Sequence, residues 1–156
     1  RGVDSISELS ALNPDSKIVV LTAAADDSLL VAATEAGCAG LLLKTSPLEE
    51  LVSAVRVAAS GEILVSPAIL GRLLGRLHRR HETPESTLTG REREILEFVA
   101  QGMTNAAIAD RLTISVNTVR NHMQSILAKL GAHSKLEALS IAVRDGIVRP
   151  PDGGSP

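Results

Sequence analysis

Residues 115–131 have the sequence SVNTVRNHMQSILAKLG, and this stretch decides the fold of the second half of the chain. Ser115 can act as a helix N-cap, and Gly131 is typical of a C-cap. The apolar side chains between them recur with helical spacing and form one stripe, namely Val116, Val119, Met123, Ile126, Leu127 and Leu130. The stretch is therefore predicted to form one amphipathic helix that buries this stripe.

A second side of the same helix carries Asn117, Arg120, Asn121, Gln124 and the small Ala128, and we name it the polar face. Arg pairs with guanine, and Asn or Gln with adenine, in the major groove of DNA. Residues 115–130 contain no Asp or Glu, which suits a surface that faces phosphates. The polar face thus indicates DNA contact; an ordinary solvated helix face is the alternative.

Three more helices are predicted around this one. Thr89 and Glu92 form a capping-box pattern that opens the first. The second runs from about Thr104 to Leu112 and is joined to residues 115–130 by a very short turn, which is the helix-turn-helix arrangement. The last begins at Ser134 and ends near residues 145–146. The predicted fold of this part is a four-helix, all-α domain over residues 88–149.

The first half shows a strand and helix alternation. Two short apolar runs, 17–22 and 40–44, are predicted to be strands, and residues 23–36 and 46–61 are predicted to be helices, the second with Ser46 as its N-cap. This alternation favours a parallel sheet. Because two strands bury too little surface, we expect residues 1–65 to be the C-terminal part of an α/β domain whose front lies outside this chain.

A connection separates the two halves. Residues 66–81 have apolar residues at helical spacing with Arg between them, and residues 81–87 are polar and contain a Pro, so 66–87 is predicted to be a linker helix followed by a flexible segment. The basic residues 76–80 could contact DNA or form a solvated face. Residues 150–156 are predicted to be a disordered tail.

Composition excludes several classes of protein. One Phe, no Trp and no Tyr argue against aromatic base stacking. A single cysteine, Cys38, argues against a disulfide framework, and the four His residues are scattered, so we expect no metal site and no enzyme. The chain has neither a long apolar run nor a signal peptide, and a cytoplasmic location is expected. Residues 1–70 hold four basic and nine acidic residues, against 12 and nine in residues 71–156, which places the positive charge in the second half.

Residues 88–148 resemble the LuxR/NarL-type helix-turn-helix domain over nearly its whole length, in LTGREREIL at 88–96, QGMTN at 101–105 and SVNTVRNH at 115–122. The resemblance implies that Arg120, Asn121 and Gln124 face bases in the major groove. It implies that Asn117 and Thr118 contact the DNA backbone, as we expect also of His122 and Lys129. Family members bind as dimers through the last helix, which makes Leu136, Leu139, Ala142 and Val143 the candidate dimer contacts. Glu92 is expected to orient a neighbouring basic residue, with a simple capping role as the alternative.

Residues 17–60 resemble the last strands and helices of a response-regulator receiver domain. By this resemblance Thr22 and Lys44 match the switch-type positions at the ends of the fourth and fifth strands; a common strand-end Thr and a solvated Lys are the alternative. Leu41 stands where the family usually has an aromatic switch residue. The family's phosphoacceptor Asp and its Mg²⁺-binding acids have no counterpart in this chain, so no cofactor is expected.

Together, the two resemblances imply a mixed fold and a transcriptional regulator of the two-component type. We expect it to bind duplex DNA as a homodimer, on an inverted repeat, with residues 115–130 in the major groove. A sensor histidine kinase is a possible partner through the receiver front. The alternative function is a protein-interaction module that pairs through its open sheet edge and does not contact DNA.

Overall fold

The computed structural model describes residues 2–24, 26–78 and 87–151 of the 156-residue chain. In chain order these residues form α1 (Gly2–Leu12), β1 (Val19–Thr22), α2 (Asp27–Glu35), β2 (Gly40–Leu43), α3 (Leu48–Ala59), α4 (Pro67–His78), α5 (Gly90–Ala100), α6 (Asn105–Leu112), α7 (Val116–Leu130) and α8 (Lys135–Arg144). We refer to residues 2–65 as the N-terminal part and to residues 88–149 as the C-terminal part. This mixed architecture confirms the predicted fold class.

The sheet of the N-terminal part consists of two parallel strands. β1 pairs with β2 from Val19 opposite Gly40 to Thr22 opposite Leu43. A single parallel bridge joins Gly40 to Leu64, where a Cβ on residue 40 would lie 2.6 Å from the Leu64 carbonyl oxygen. Only glycine therefore fits at position 40. The strands are short because α3 covers them on one side and few residues are available to extend them.

Two predictions on this part need correction. α1 was not predicted, although its buried residues Ile6 and Ser10 lie four apart, as on one side of a helix. Ser46 does not cap α3: the extended Pro47 is the N-cap, and it makes no side-chain capping bond. The reason is that the Pro47 carbonyl accepts the first backbone bonds of the helix, from Glu50 and Leu51, so the helix begins one residue later than predicted.

α4 is more than a linker. Its helix is confirmed for residues 67–78, while residues 79–86, which include the predicted flexible segment and the end of the basic cluster, lie outside the described residues. Leu73, Leu74 and Leu77 are each 1% exposed, because α4 packs against both α2 and α8. Arg72 and Arg76 bind the Asp27 carboxylate, so Arg76 is engaged within the chain. α4 therefore joins the two parts into one hydrophobic core.

The four helices of the C-terminal part agree with their predicted caps. Thr89 and Glu92 form a capping box at α5, and Thr104, Ser115 and Ser134 cap α6, α7 and α8 through their side chains. Gly131 ends α7 with a φ of 65°, in the left-handed region that favours glycine. The tail from residue 152 onward lies outside the described residues. Among the helices that the structure describes, none has the length and apolarity that a membrane span requires.

Candidate nucleic-acid interface

The polar face of α7 is exposed along its whole length. Asn117, Arg120, Asn121, Gln124 and Ala128 are all exposed, whereas Val119, Met123 and Ile126 on the opposite side are buried. The buried side packs against α5, α6 and α8. Since the stripe fixes the rotation of the helix, the donors and acceptors of the polar face point away from the domain core, as the periodicity predicts.

The start of α7 has an internal hydrogen-bond arrangement. Ser115 Oγ accepts from the Thr118 backbone N–H at 3.0 Å and lies 2.7 Å from Thr118 Oγ1. Asn117 is exposed, whereas Thr118 and His122 are half-buried. The two hydroxyls therefore engage each other at the helix start, which leaves Asn117 as the freer of the predicted backbone-contact residues in this turn.

Lys129 makes an ion pair inside the domain. Its Nζ lies 2.8 and 3.1 Å from the two carboxylate oxygens of Glu92, which also accept from Ser125 Oγ and the Thr89 backbone N–H. The prediction that Glu92 orients a basic residue agrees with this geometry, and so does its capping role. The predicted phosphate contact of Lys129 does not, because in the structure its charge is directed at a buried carboxylate.

The Glu92 carboxylate titrates far from its usual range. Burial of its side chain, which is 5% exposed, raises its pKa, but this effect is exceeded by the hydrogen bonds from Lys129, Thr89 and Ser125 together with the charge of Lys129. The net result lowers the pKa from 4.5 to about 2. Glu92 is therefore ionised at neutral pH and links α5 to α7 as a charged group.

One end of the polar face borders a cleft between the two parts of the molecule. Arg120 and Gln124 line this cleft of about 250 Å³ together with Asn105 and Lys135. The opposite wall is built by the N-terminal part, chiefly Lys17 and residues 59–62. In this conformation the N-terminal part therefore occupies space in front of two of the three predicted base-facing residues.

Polar contacts close the cleft at its base. Glu62 Oε2 accepts from Lys135 Nζ at 2.6 Å, and Glu62 Oε1 accepts from the Asn105 backbone N–H at 2.9 Å. Lys135 also donates to Asn105 Oδ1 at 3.0 Å, and Ser134 Oγ donates to the Cys38 carbonyl at 2.8 Å. Burial lowers the pKa of the Lys135 ammonium below its ordinary value, although Glu62 counteracts this effect. These contacts hold the starts of α6 and α8 against the N-terminal part.

The predicted dimer contacts on α8 lie inside this molecule. Leu136, Leu139, Ala142 and Val143 each have 0% exposure, because α2, α4, α5 and α7 surround α8. In this conformation they cannot contact a second copy. The correction is physical: periodicity identifies an apolar side of a helix, but it does not identify which element covers that side. Dimerisation through these residues stays a prediction for a conformation in which α8 is uncovered.

The two switch-type positions lie side by side. Thr22 ends β1 and Lys44 follows β2, and the Lys44 backbone N–H donates to the Thr22 carbonyl at 2.7 Å. Thr22 Oγ1 donates to the Ala24 carbonyl, while the Lys44 residue is exposed. The arrangement fits the carboxyl edge of a parallel sheet, and their switch role stays a prediction.

Comparison with known proteins gives matches in both parts. Residues 86–142 match the family model of the bacterial regulatory proteins of the luxR family. The chain is 36% identical over 149 residues to the transcriptional regulatory protein LiaR of Bacillus subtilis, a match that covers 94% of this chain and 71% of that protein. It is 31% identical over 148 residues to the response regulator protein VraR of Staphylococcus aureus, with 95% and 70% covered.

This chain belongs to the luxR-type response regulators. The matches extend through the receiver-like residues as well as the helix-turn-helix, and they confirm the predicted function class: a DNA-binding transcription regulator of the two-component type. The crystal structure of the response regulator ChrA, from a haem-sensing two-component system, is 30% identical, covers 94% of this chain and 70% of that chain, and superposes with a TM-score of 0.39. This luxR-type response regulator therefore spans about 70% of the length of these relatives.

The sequence did not single out Glu62, Asn105 and Lys135 as functional residues. Glu62 precedes a short apolar run, and Lys135 follows an N-cap, so each has an ordinary local explanation. They lie together only in three dimensions, with 73 positions between Glu62 and Lys135. The one local signal is that Asn105 and Lys135 are both the first residues of capped helices.

Proposed function

We propose that this regulator reads duplex DNA by placing α7 in the major groove, with Arg120, Asn121 and Gln124 facing the bases. The observation that supports this proposal most is the exposed, acid-free polar face set on a rigidly packed helix. Arg bonds to guanine and Asn or Gln to adenine through paired donors and acceptors, and a rigid helix presents them in a fixed register. Asn117, Thr118 and His122 would contact the DNA backbone near the start of this helix.

Lys129 takes a supporting role in this proposal. Its contact with Glu92 holds the middle of α7 against α5, which fixes the helix that carries the base-facing residues. Fixing such a side chain through a second residue is the ordinary way in which binding sites gain precision.

The proposal includes a homodimer on an inverted repeat. A dimer doubles the number of phosphate contacts and sets the spacing of two half-sites. Since α8 is covered here, the dimer would form in a conformation in which the N-terminal part has moved away from α8. An input from a sensor histidine kinase belongs to the same proposal, because the relatives VraR and LiaR are named as response and transcriptional regulators.

Selection of duplexes from a random pool tests this function. The chain is expected to enrich an inverted repeat and to bind it with an affinity that falls as salt rises. Enrichment of no motif, with equal binding to all duplexes, would contradict base recognition by α7. Binding to no duplex even at low salt would favour the protein-interaction alternative.

A further inference from the structure

One wall of the cleft between the two parts has the chemistry of an anion site. The C-terminal part contributes Asn105, Arg120, Gln124, Ser134 and Lys135 to this wall, and none of these is acidic. A duplex that is read by Arg120 and Gln124 must lie against the same wall, because these side chains belong to it. Asn105 and Lys135 would then face the DNA at its edge.

An anion already lies at this place in the structure. The Glu62 carboxylate accepts from the Asn105 backbone N–H at 2.9 Å and from the Lys135 ammonium at 2.6 Å. Asn105 is the first residue of α6, where backbone N–H groups lack partners within the helix and favour negative charge. Asn105 Oδ1, 3.0 Å from Lys135 Nζ, holds the ammonium in place. An amide N–H and an ammonium that converge on one oxyanion are the donors that bind a phosphate oxygen.

Among the residues that line the cleft, Glu62 is the only acid. It enters from the opposite wall, at the turn that follows α3. Lys135 is 6% exposed in this conformation because the N-terminal part covers it. A buried cation requires a partner, and Glu62 supplies one while the parts are docked. Once they separate, the ammonium needs a new anion or solvent.

We propose that the Asn105 amide and the Lys135 ammonium form a binding site for a backbone phosphate of DNA, and that Glu62 fills this site while the N-terminal part is docked. The inference rests on the proposed function, since it places the duplex on the polar face of α7. Glu62 and the phosphate exclude each other, because both require the same two donors. DNA binding therefore requires Glu62 to leave.

The test compares four forms of the full chain: wild type, Glu62→Gln, Glu62→Gln with Lys135→Met, and Glu62→Gln with Lys135→Arg. Each is titrated by anisotropy against a duplex selected by the wild type and against a mixed-sequence duplex, at several salt concentrations. Glu50→Gln is the matched control, since it removes the same charge from an exposed position on α3. Circular dichroism checks that each variant is folded.

Glu62→Gln is expected to bind both duplexes about fivefold or more tightly than wild type, with Glu50→Gln unchanged. Adding Lys135→Met is expected to reverse this gain on both duplexes and to lower the salt slope by about 0.9, while Lys135→Arg keeps it. Equal affinities of wild type and Glu62→Gln would overturn the proposal. So would a Lys135→Met variant that keeps the gain and the slope. Failure of the base-recognition proposal is seen separately, as equal affinity of the wild type for the two duplexes.

Discussion

The ammonium of Lys129 lies 2.8 Å from a carboxylate oxygen of Glu92, across 37 positions of sequence. This ion pair joins the first helix of the C-terminal part to the helix that carries the polar face. Glu92 also caps α5 through the Thr89 N–H. One carboxylate therefore fixes the start of α5 and the rotation of α7, which makes the geometry of the polar face sensitive to its charge.

Acidification is predicted to destabilise the protein through Glu92. Its folded pKa of about 2 lies below the ordinary value of 4.5, so the unfolded chain binds more protons between these values. The stabilisation is thus complete above pH 4.5 and is lost as the pH falls towards about 2. Denaturant unfolding of wild type and Glu92→Gln at several pH values measures this effect. The variant is expected to show a flatter acid limb; parallel acid limbs would show that Glu92 contributes nothing.

Lys129→Met is predicted to lower the free energy of unfolding by about 2 kcal/mol, because it leaves the buried Glu92 charge without its cation. Denaturant titration measures the loss. The salt slope of DNA binding is expected to stay at the wild-type value, since Lys129 is engaged with Glu92. A smaller salt slope with unchanged stability would restore Lys129 as a phosphate contact.

Leu73→Ala is predicted to cost about 2–5 kcal/mol of unfolding free energy, since the side chain is 1% exposed where α4 meets its neighbours. The matched control is Leu48→Ala on α3, where the side chain is 70% exposed and the expected change is within about 0.5 kcal/mol. Thermal or denaturant unfolding separates the two. Similar small losses for both variants would mean that α4 is a loosely packed linker.

Gly37→Ala is predicted to destabilise the contact between the two parts. Its φ of 99° strains an L side chain, and the added Cβ would lie 3.2 Å from both Glu137 Oε2 and His133 Cβ. We expect a loss of about 1–3 kcal/mol. Gly71→Ala, in the open interior of α4, is expected to stabilise by about 0.4–1 kcal/mol instead. The same sign of change in the melting temperatures of both variants would refute this account.

The sequence predicted those features whose causes are local. The caps at Thr89, Thr104, Ser115 and Ser134 lie next to the helices that they begin, and the stripe on α7 is repeated within one helix. The structure therefore agrees with the helices of the C-terminal part nearly residue by residue. The polar face followed from the same periodicity.

Features that depend on distant residues were not predictable in this way. The apolar side of α8 was evident, but the elements that cover it come from much earlier in the chain. The charge of Lys129 suited a phosphate until its buried partner Glu92 was placed beside it. Glu62 had no local signal at all, because its role arises from contacts with Asn105 and Lys135. Periodicity reports which side of an element is buried, and it does not report the partner.

The most direct test of base recognition by α7 compares wild type with Arg120→Ala on two duplexes, the selected one and a scrambled one of equal composition. The matched control is Arg93→Ala, which removes the same charge from an exposed position on α5. Arg120→Ala is expected to lose about 1–3 kcal/mol of preference for the selected duplex, with unchanged helical content, while Arg93→Ala keeps the full preference. An Arg120→Ala variant that retains the wild-type preference would contradict the placement of the polar face in the major groove.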